Sequence, residues 1–170
     1  VLLLVPEINL TPQLENYFRS RFPDVTFASL HSGLSEGERL HHWQQAQSGA
    51  AQIVLGTRLA VFAELPKLAL IVVDEEHDSS FKQQDALRYS ARDVAIFRAH
   101  QCGVPIVLGS ATPSLESYYN AQSGRYKMLA LTGRATATAQ LPTVRCINTS
   151  QTVMQQGVSE NLLREIEKRI

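Results

Sequence analysis

No apolar run in this chain approaches the roughly 20 residues that a membrane helix needs, and the opening VLLLV is far too short for a span or a secretory leader. Cysteine is scarce. Cys102 and Cys146 stand far apart with no C-x-x-C, which excludes a disulfide framework and a zinc knuckle and predicts two buried thiols in a reducing, cytoplasmic compartment. An excess of either charge is also missing, since Lys+Arg and Asp+Glu number 16 each. Any nucleic-acid contact therefore has to come from a local groove rather than a global field. Nor is there any G-x-x-x-x-G-K-[ST], or even one Gly-Lys pair, so the loop that cradles nucleotide phosphates is not written here. No internal repeat occurs.

What is present is ordinary in bulk. A chain of 170 residues, 44% hydrophobic and 19% charged, is long enough for one domain with a real core and is neither disordered nor membrane-like in composition. It opens at Val1 inside an apolar strand and closes just after a charged helical run. That predicts a piece of a longer protein.

Short apolar runs alternate with amphipathic stretches. VLLLV (1–5), VTFASL (25–30), QIVLG (52–56), LALIVV (68–73) and PIVLG (105–109) read as strands buried on both faces. Thr11-Pro12 and Thr112-Pro113 each offer an N-cap followed by proline at the first helical position. Ser35 with Glu38 forms a capping box ahead of Leu40, Trp43 and Ala46, and Ser90 with Asp93 repeats it ahead of Val94, Phe97 and Arg98. YKMLAL and TVRCIN suggest two further strands, antiparallel or at an edge, around the low-complexity loop TGRATATAQLP. A last helix starts at Ser159. The alternation predicts a doubly wound α/β fold with a mainly parallel sheet and helices on both faces.

In that architecture function gathers where strands end. Polar loops follow the first strand at Pro6-Glu7, the third at Gly56-Thr57-Arg58, the fourth at Asp74-Glu75-Glu76-His77 and the fifth at Gly109-Ser110-Ala111-Thr112. Three adjacent carboxylates repel unless a cation faces them, and Mg²⁺ is the usual candidate. Asp74 would hold the metal or its waters, and Glu75 would orient and deprotonate an attacking water. Acids also favour helix N-termini, so a pair of capping carboxylates fits the same letters.

D-E-x-H after an apolar strand, with G-S-A-T downstream, resembles motifs II and III of superfamily 2 helicases. VPEINLTPQ, LHSGLSEGERL, GTRLAVF, VVDEEHDSSFKQQ, RYSARDVA and LGSATPSLES extend the resemblance, in order, to the primosomal replication-restart DNA helicases. It is strong to about residue 132 and weak beyond. The resemblance implies a RecA-like fold of the P-loop NTPase type, with ATP and Mg²⁺ as cofactors. It implies that Asp74 binds the metal, that Glu75 activates water, and that His77 passes the nucleotide state to Ser110, Ala111 and Thr112. A neutral imidazole suits that place because it donates and accepts at once. Pro6, Glu7, Thr11, Thr57 and Arg58 would face single-stranded DNA through phosphate contacts that carry no base information. Phe81, Lys82, Arg88 and Tyr89 would belong to an aromatic-rich loop linking DNA binding to hydrolysis, although helix packing accounts for the two aromatics equally well. Leu87 stands where many relatives carry an aromatic residue, which weakens stacking at that position.

The resemblance also places the phosphate loop upstream of the first strand and a second motor domain, with an arginine finger and zinc-binding cysteines, downstream. Residues 1–132 then form part of a first RecA-like motor domain, and 133–170 a linker and the start of the next segment. The parent is expected to move 3′-to-5′ on single-stranded and forked DNA, with single-stranded DNA-binding protein and primosome proteins as partners and no membrane. The piece alone is expected to be inactive, and loss of a central strand, which would expose apolar edges, predicts marginal stability or association. Another superfamily 2 translocase, or a non-catalytic nucleic-acid-binding module, are the alternatives. D-E-E-H, SFKQQ and RYSARD argue against the first. A nuclease is disfavoured, because such sites gather acids from separate elements around paired metals.

Overall fold

Leucine, valine and isoleucine runs too short for helices become strands of one parallel sheet. The computed structural model describes residues 1–6, 11–133 and 144–169, with Thr11 and Pro12 described by backbone only. Its main sheet holds β1 (Leu2–Leu4), β2 (Phe27–Leu30), β3 (Ile53–Gly56), β4 (Ile71–Val73) and β7 (Ile106–Leu108), in the order β2-β3-β1-β4-β7. A separate two-stranded ribbon pairs β5 (Lys82–Gln83) with β6 (Tyr89–Ser90). Every pairing in the main sheet is parallel.

Successive strand residues point to opposite faces, and two cores follow from that alternation. Leu2, Leu4, Val54, Ile71 and Val73 pack with Ala46 of helix α2 (Glu36–Gln47) and with Ala91, Ala95 and Ala99 of helix α3 (Ala91–Cys102). Leu3, Val5 and Leu55 pack against Leu14 and Phe18 of helix α1 (Thr11–Arg21). Helices therefore cover both faces, as expected.

The capping box at Ser35 and Glu38 is present in full, and Ser90 caps α3 by accepting from the Asp93 amide. Of the apolar residues expected behind these caps, Ala46 is buried and Trp43 and Val94 pack against the core, whereas Leu40 is 59% and Phe97 64% exposed. Alanines complete the buried face of α3, because small side chains let a helix lie close against a sheet. Helix α4 (Leu115–Gln122) is capped by Ser114 rather than Thr112, its hydroxyl accepting from the Ser117 amide. At the sheet edge Val107 is 45% exposed, so β7 is not buried on both faces.

Neither extra strand forms. Residues 126–131 and the described part of TVRCIN, 144–148, carry no strand pairing, since strand propensity is context-dependent and composition alone does not decide pairing. Both cysteines are exposed, correcting the expectation of buried thiols: Cys102 ends α3, where the chain turns outward at Gly103.

The chain divides into two compact units, Val1–Met128 and Leu129–Ile170. The second contains the hairpin β8 (Met154–Gln155) and β9 (Val158–Ser159), turning through Gln156 and Gly157 at positive φ. Helix α5 (Glu160–Glu167) follows, capped by Ser159 as the sequence suggests. Most of TGRATATAQLP lies outside the described residues. Among the described residues no helix is long and apolar enough to cross a membrane.

Candidate functional site

Strand register decides which loops can meet. Leu4 pairs with both Gly56 and Val73, and Val73 pairs with Leu108. The strands end level, so the loops beginning at Val5, Thr57, Asp74 and Gly109 leave from one edge. Backbone bonds continue the alignment beyond the strands. The Asp74 amide donates to the Leu4 carbonyl at 2.9 Å, the Gly109 amide to Val73 at 2.8 Å, and the Glu76 amide to Gly109 at 3.0 Å.

Asp74 is exposed at the end of β4, and its Oδ1 accepts the Glu75 amide at 3.1 Å. Glu75 has φ +46°, a left-handed conformation that costs a non-glycine residue about 1–3 kcal/mol and clusters at functional sites. The turn is closed by the Asp78 amide donating to the Glu75 carbonyl at 2.8 Å. His77 sits between the two loops. Its Nδ1 lies 2.7 Å from Ser110 Oγ and 3.5 Å from Glu75 Oε2, and its Nε2 is 3.4 Å from Thr112 Oγ1. Ser110 Oγ also accepts the Thr112 amide at 2.9 Å. Asp74, Glu75, His77, Ser110 and Thr112 are thus brought together, with Ala111 exposed between the two hydroxyl residues.

Glu76, the acid left without a role by sequence reasoning, is 2% exposed. Its carboxylate accepts from the Ser114 amide at 2.7 Å, Ser117 Oγ at 2.9 Å, Arg92 Nη1 at 3.0 Å and Ser114 Oγ at 3.1 Å. Burial pushes its pKa up, but these donors, the Ser114 amide foremost, outweigh it and hold the group below its ordinary value. Arg92 loses to burial and gains more from Asp93 and Glu76, so its pKa is raised. The three carboxylates are therefore not equivalent: two face outward and the third is neutralised from within. A signal for the pair was available. Arg92 stands in the first turn of α3, where the helix dipole disfavours a cation, so it needs a local anion.

The residues assigned to DNA distribute unevenly. The Pro6 carbonyl accepts from Ser80 Oγ at 3.2 Å. Glu7 lies outside the described residues, and Thr11 opens α1. Thr57 is half-buried and precedes the 3-10 helix Arg58–Phe62 without a side-chain capping bond. Arg58 Nη1 donates to the carbonyls of Ser80 and Lys82, each at 3.2 Å. Phe81 is 1% exposed inside the main core, which withdraws it from base stacking; it anchors the turn that carries Lys82. Tyr89 is half-buried, its ring 5.0 Å from that of Phe62 in a T-shaped contact. Lys82 and Arg88 are exposed and line, with Gln83, Gln84, Tyr89 and Ser90, an open groove of about 530 Å³. Leu87 is 76% exposed.

Among the described residues no three His, Cys, Asp or Glu side chains form a metal cage. Asp74 alone still fits Mg²⁺, which takes one or two carboxylates and completes its shell with water and substrate phosphates.

A parallel sheet that sets an outward acid pair beside a histidine, and that histidine against a serine–threonine loop, is the arrangement that the resemblance to superfamily 2 helicases implies. The model of the DEAD/DEAH box helicase family matches residues 1–121, and the chain belongs to that family. Within it, the chain is similar to proteins named Replication restart protein PriA. It is 45% identical to that of Haemophilus influenzae over 170 residues, covering 100% of this chain and 23% of the relative. With the Bacillus subtilis protein it is 49% identical over 133 residues, 78% of this chain and 16% of the relative. With that of Synechocystis it is 58% identical over 120 residues, 70% and 14%. The chain thus spans less than a quarter of the length of these curated relatives. The C-terminal domain of Saccharomyces cerevisiae Dbp5 shares the fold, with a TM-score of 0.51 at 17% identity over 75% of this chain and 71% of that one.

Proposed function

We propose that residues 1–132 are part of the first motor domain of an ATP-dependent DNA helicase that acts in replication restart and primosome assembly, moving 3′-to-5′ on single strands. Residues 133–170 are the linker and the start of the following segment. The observation that carries this reading is the His77 imidazole, in reach of Glu75 on one side and of Ser110 and Thr112 on the other. A group so placed senses the state of the hydrolytic carboxylate and reports it to a second loop.

In this reading Asp74 would hold Mg²⁺, and the ion would supply charge neutralisation for the nucleotide phosphates when bound. Glu75 orients and deprotonates water. Pro6, Glu7, Thr11, Thr57 and Arg58 would contact the DNA backbone, and Lys82 and Arg88 offer cations beside Tyr89. Forked DNA, single-stranded DNA-binding protein and primosome proteins are the proposed partners, the compartment is the cytoplasm, and zinc belongs to a different part of the parent. Residues 1–170 by themselves, without a phosphate loop, neither hydrolyse ATP nor unwind DNA. One feature supports that division: the sequence holds no Gly-Lys pair.

The test is ATP hydrolysis by the full-length protein with and without single-stranded DNA, beside its Glu75→Gln variant. Stimulated hydrolysis in the parent and none in the variant is expected. DNA binding without stimulated hydrolysis in the parent would move the reading to a non-catalytic binding module.

A further inference from the structure

We propose that Glu76 and Arg92 are a positioning pair for hydrolysis at this site, pinning both ends of the serine–threonine loop so that its centre meets His77. The inference rests on the hydrolytic reading above and adds two residues to it. One residue holds the loop twice. The Glu76 amide donates to the Gly109 carbonyl at 3.0 Å, where the loop begins. The Glu76 carboxylate accepts the Ser114 amide at 2.7 Å, where the loop ends and α4 begins. Between these anchors lie Ser110 and Thr112, the two hydroxyls that face His77.

Arg92 fixes the second anchor. Its Nη1 donates to Glu76 at 3.0 Å and to Ser114 Oγ at 2.7 Å, while Nε donates to Asp93 at 2.9 Å. Ser114 Oγ also accepts the Ser117 amide at 3.2 Å. The carboxylate, the guanidinium and the capping hydroxyl therefore constrain each other, and the first turn of α3, the loop and α4 are joined at one point. Stability alone gives little reason for such a pair. A buried ion pair roughly breaks even against apolar residues of similar volume, whereas it imposes a geometry that apolar packing does not. Glu76 sits between the proposed water-activating Glu75 and His77, so any shift of the pinned loop moves the hydroxyls relative to the imidazole.

The test uses the full-length protein with Glu76→Gln, Arg92→Lys, Arg92→Gln and the double variant Glu76→Gln/Arg92→Gln. Each single glutamine variant is expected to lower kcat at saturating single-stranded DNA by about tenfold or more, in line with the cost of small misplacements. KM for ATP and DNA affinity should stay within about twofold, and Arg92→Lys should retain part of the rate. The double variant leaves no buried charge unpaired, so it is expected to recover Tm but not kcat. A kcat that recovers together with Tm, or that is unchanged in the single variants, overturns the proposal and assigns the pair to stability. Should a single variant fail to fold, the double variant and Arg92→Lys still decide. Hydrogen exchange gives a readout independent of turnover. Faster exchange confined to residues 110–114 in Glu76→Gln is expected, and unchanged exchange there overturns the pinning. Absence of DNA-stimulated hydrolysis in the wild type overturns the hydrolytic reading instead.

Discussion

Arg58 Nη1 lies 3.2 Å from the carbonyl oxygens of both Ser80 and Lys82, so one guanidinium joins the loop after β3 to the turn that follows the acids. Ser80 Oγ donates in turn to the Pro6 carbonyl at 3.2 Å. Three loops from the ends of β1, β3 and β4 thereby share one small turn, whose Phe81 is locked into the core. Arg58 was expected to face DNA phosphate; its contacts among the described residues are to backbone.

Arg58→Ala removes a charged donor from two carbonyls and should destabilise by about 1–2 kcal/mol, discounted from the usual charged hydrogen bond because the carbonyls regain water. Arg58→Lys should recover only part, since an ammonium lacks the planar fork. Denaturant unfolding of the three proteins measures this directly. An alanine variant as stable as the parent would mean the bridge is not formed in solution.

Gly56 ends β3 where the backbone passes under the 3-10 helix. A Cβ there would collide with the Ala60 side chain and with the Leu30 carbonyl oxygen, which is backbone and cannot move aside. Gly56→Ala should therefore cost about 1–3 kcal/mol or more by overpacking. The control is Gly37→Ala on α2, where a Cβ meets nothing within 4 Å; it should be neutral or slightly stabilising. Equal stability of the two variants by thermal melting would refute the close approach.

These particulars show what the letters could and could not convey. Strand positions were legible because β-branched and leucine runs bounded by polar loops have few other uses, and the parallel sheet followed from the alternation. Register was not legible, yet it is what brings Asp74, His77 and Ser110 to one edge. The D-E-E-H stretch suggested roles for Asp74 and Glu75 and none for Glu76, which is turned inward by partners contributed from α3 and α4. The letters leave Phe81 between stacking and packing, and they misplace Phe97, for a related reason. An aromatic residue signals apolar area without saying which face it takes, and here the first is core and the second is 64% exposed. YKMLAL had strand composition, yet it pairs with no strand, because propensity is context-dependent and does not choose a partner.

Glu15 gives the α1 face a pH dependence. Its Oε2 accepts Ser29 Oγ at 2.6 Å and its Oε1 accepts Arg19 Nε at 2.9 Å. Burial pushes the group up, but the Ser29 hydroxyl and Arg19 together hold it below its ordinary value of 4.5. A carboxylate depressed on folding contributes stability that is fully present above the unfolded pKa and is lost as pH falls through the folded one. Melting temperature should therefore fall more steeply below about pH 4.5 in the parent than in Glu15→Gln. Parallel profiles for the two proteins would exclude Glu15 as a source of acid sensitivity.

The contact of His77 Nδ1 with Ser110 Oγ, at 2.7 Å across two loops, makes a claim about coupling rather than about either residue alone. If the imidazole acts on the loop through that hydroxyl, removing one partner removes the path, and removing the second adds little. In the full-length protein His77→Ala and Ser110→Ala should each lower DNA-stimulated hydrolysis, and the double variant should fall scarcely below the weaker single one. The resulting interaction energy should lie within about 0.5–3 kcal/mol, the range for residues in one hydrogen-bonded network. Thr112, farther from Nε2 at 3.4 Å, should show a smaller coupling to His77 when changed to valine. Strict additivity in the His77–Ser110 cycle would mean that the two loops communicate by another route, and the Glu76 anchors would then be the first place to look.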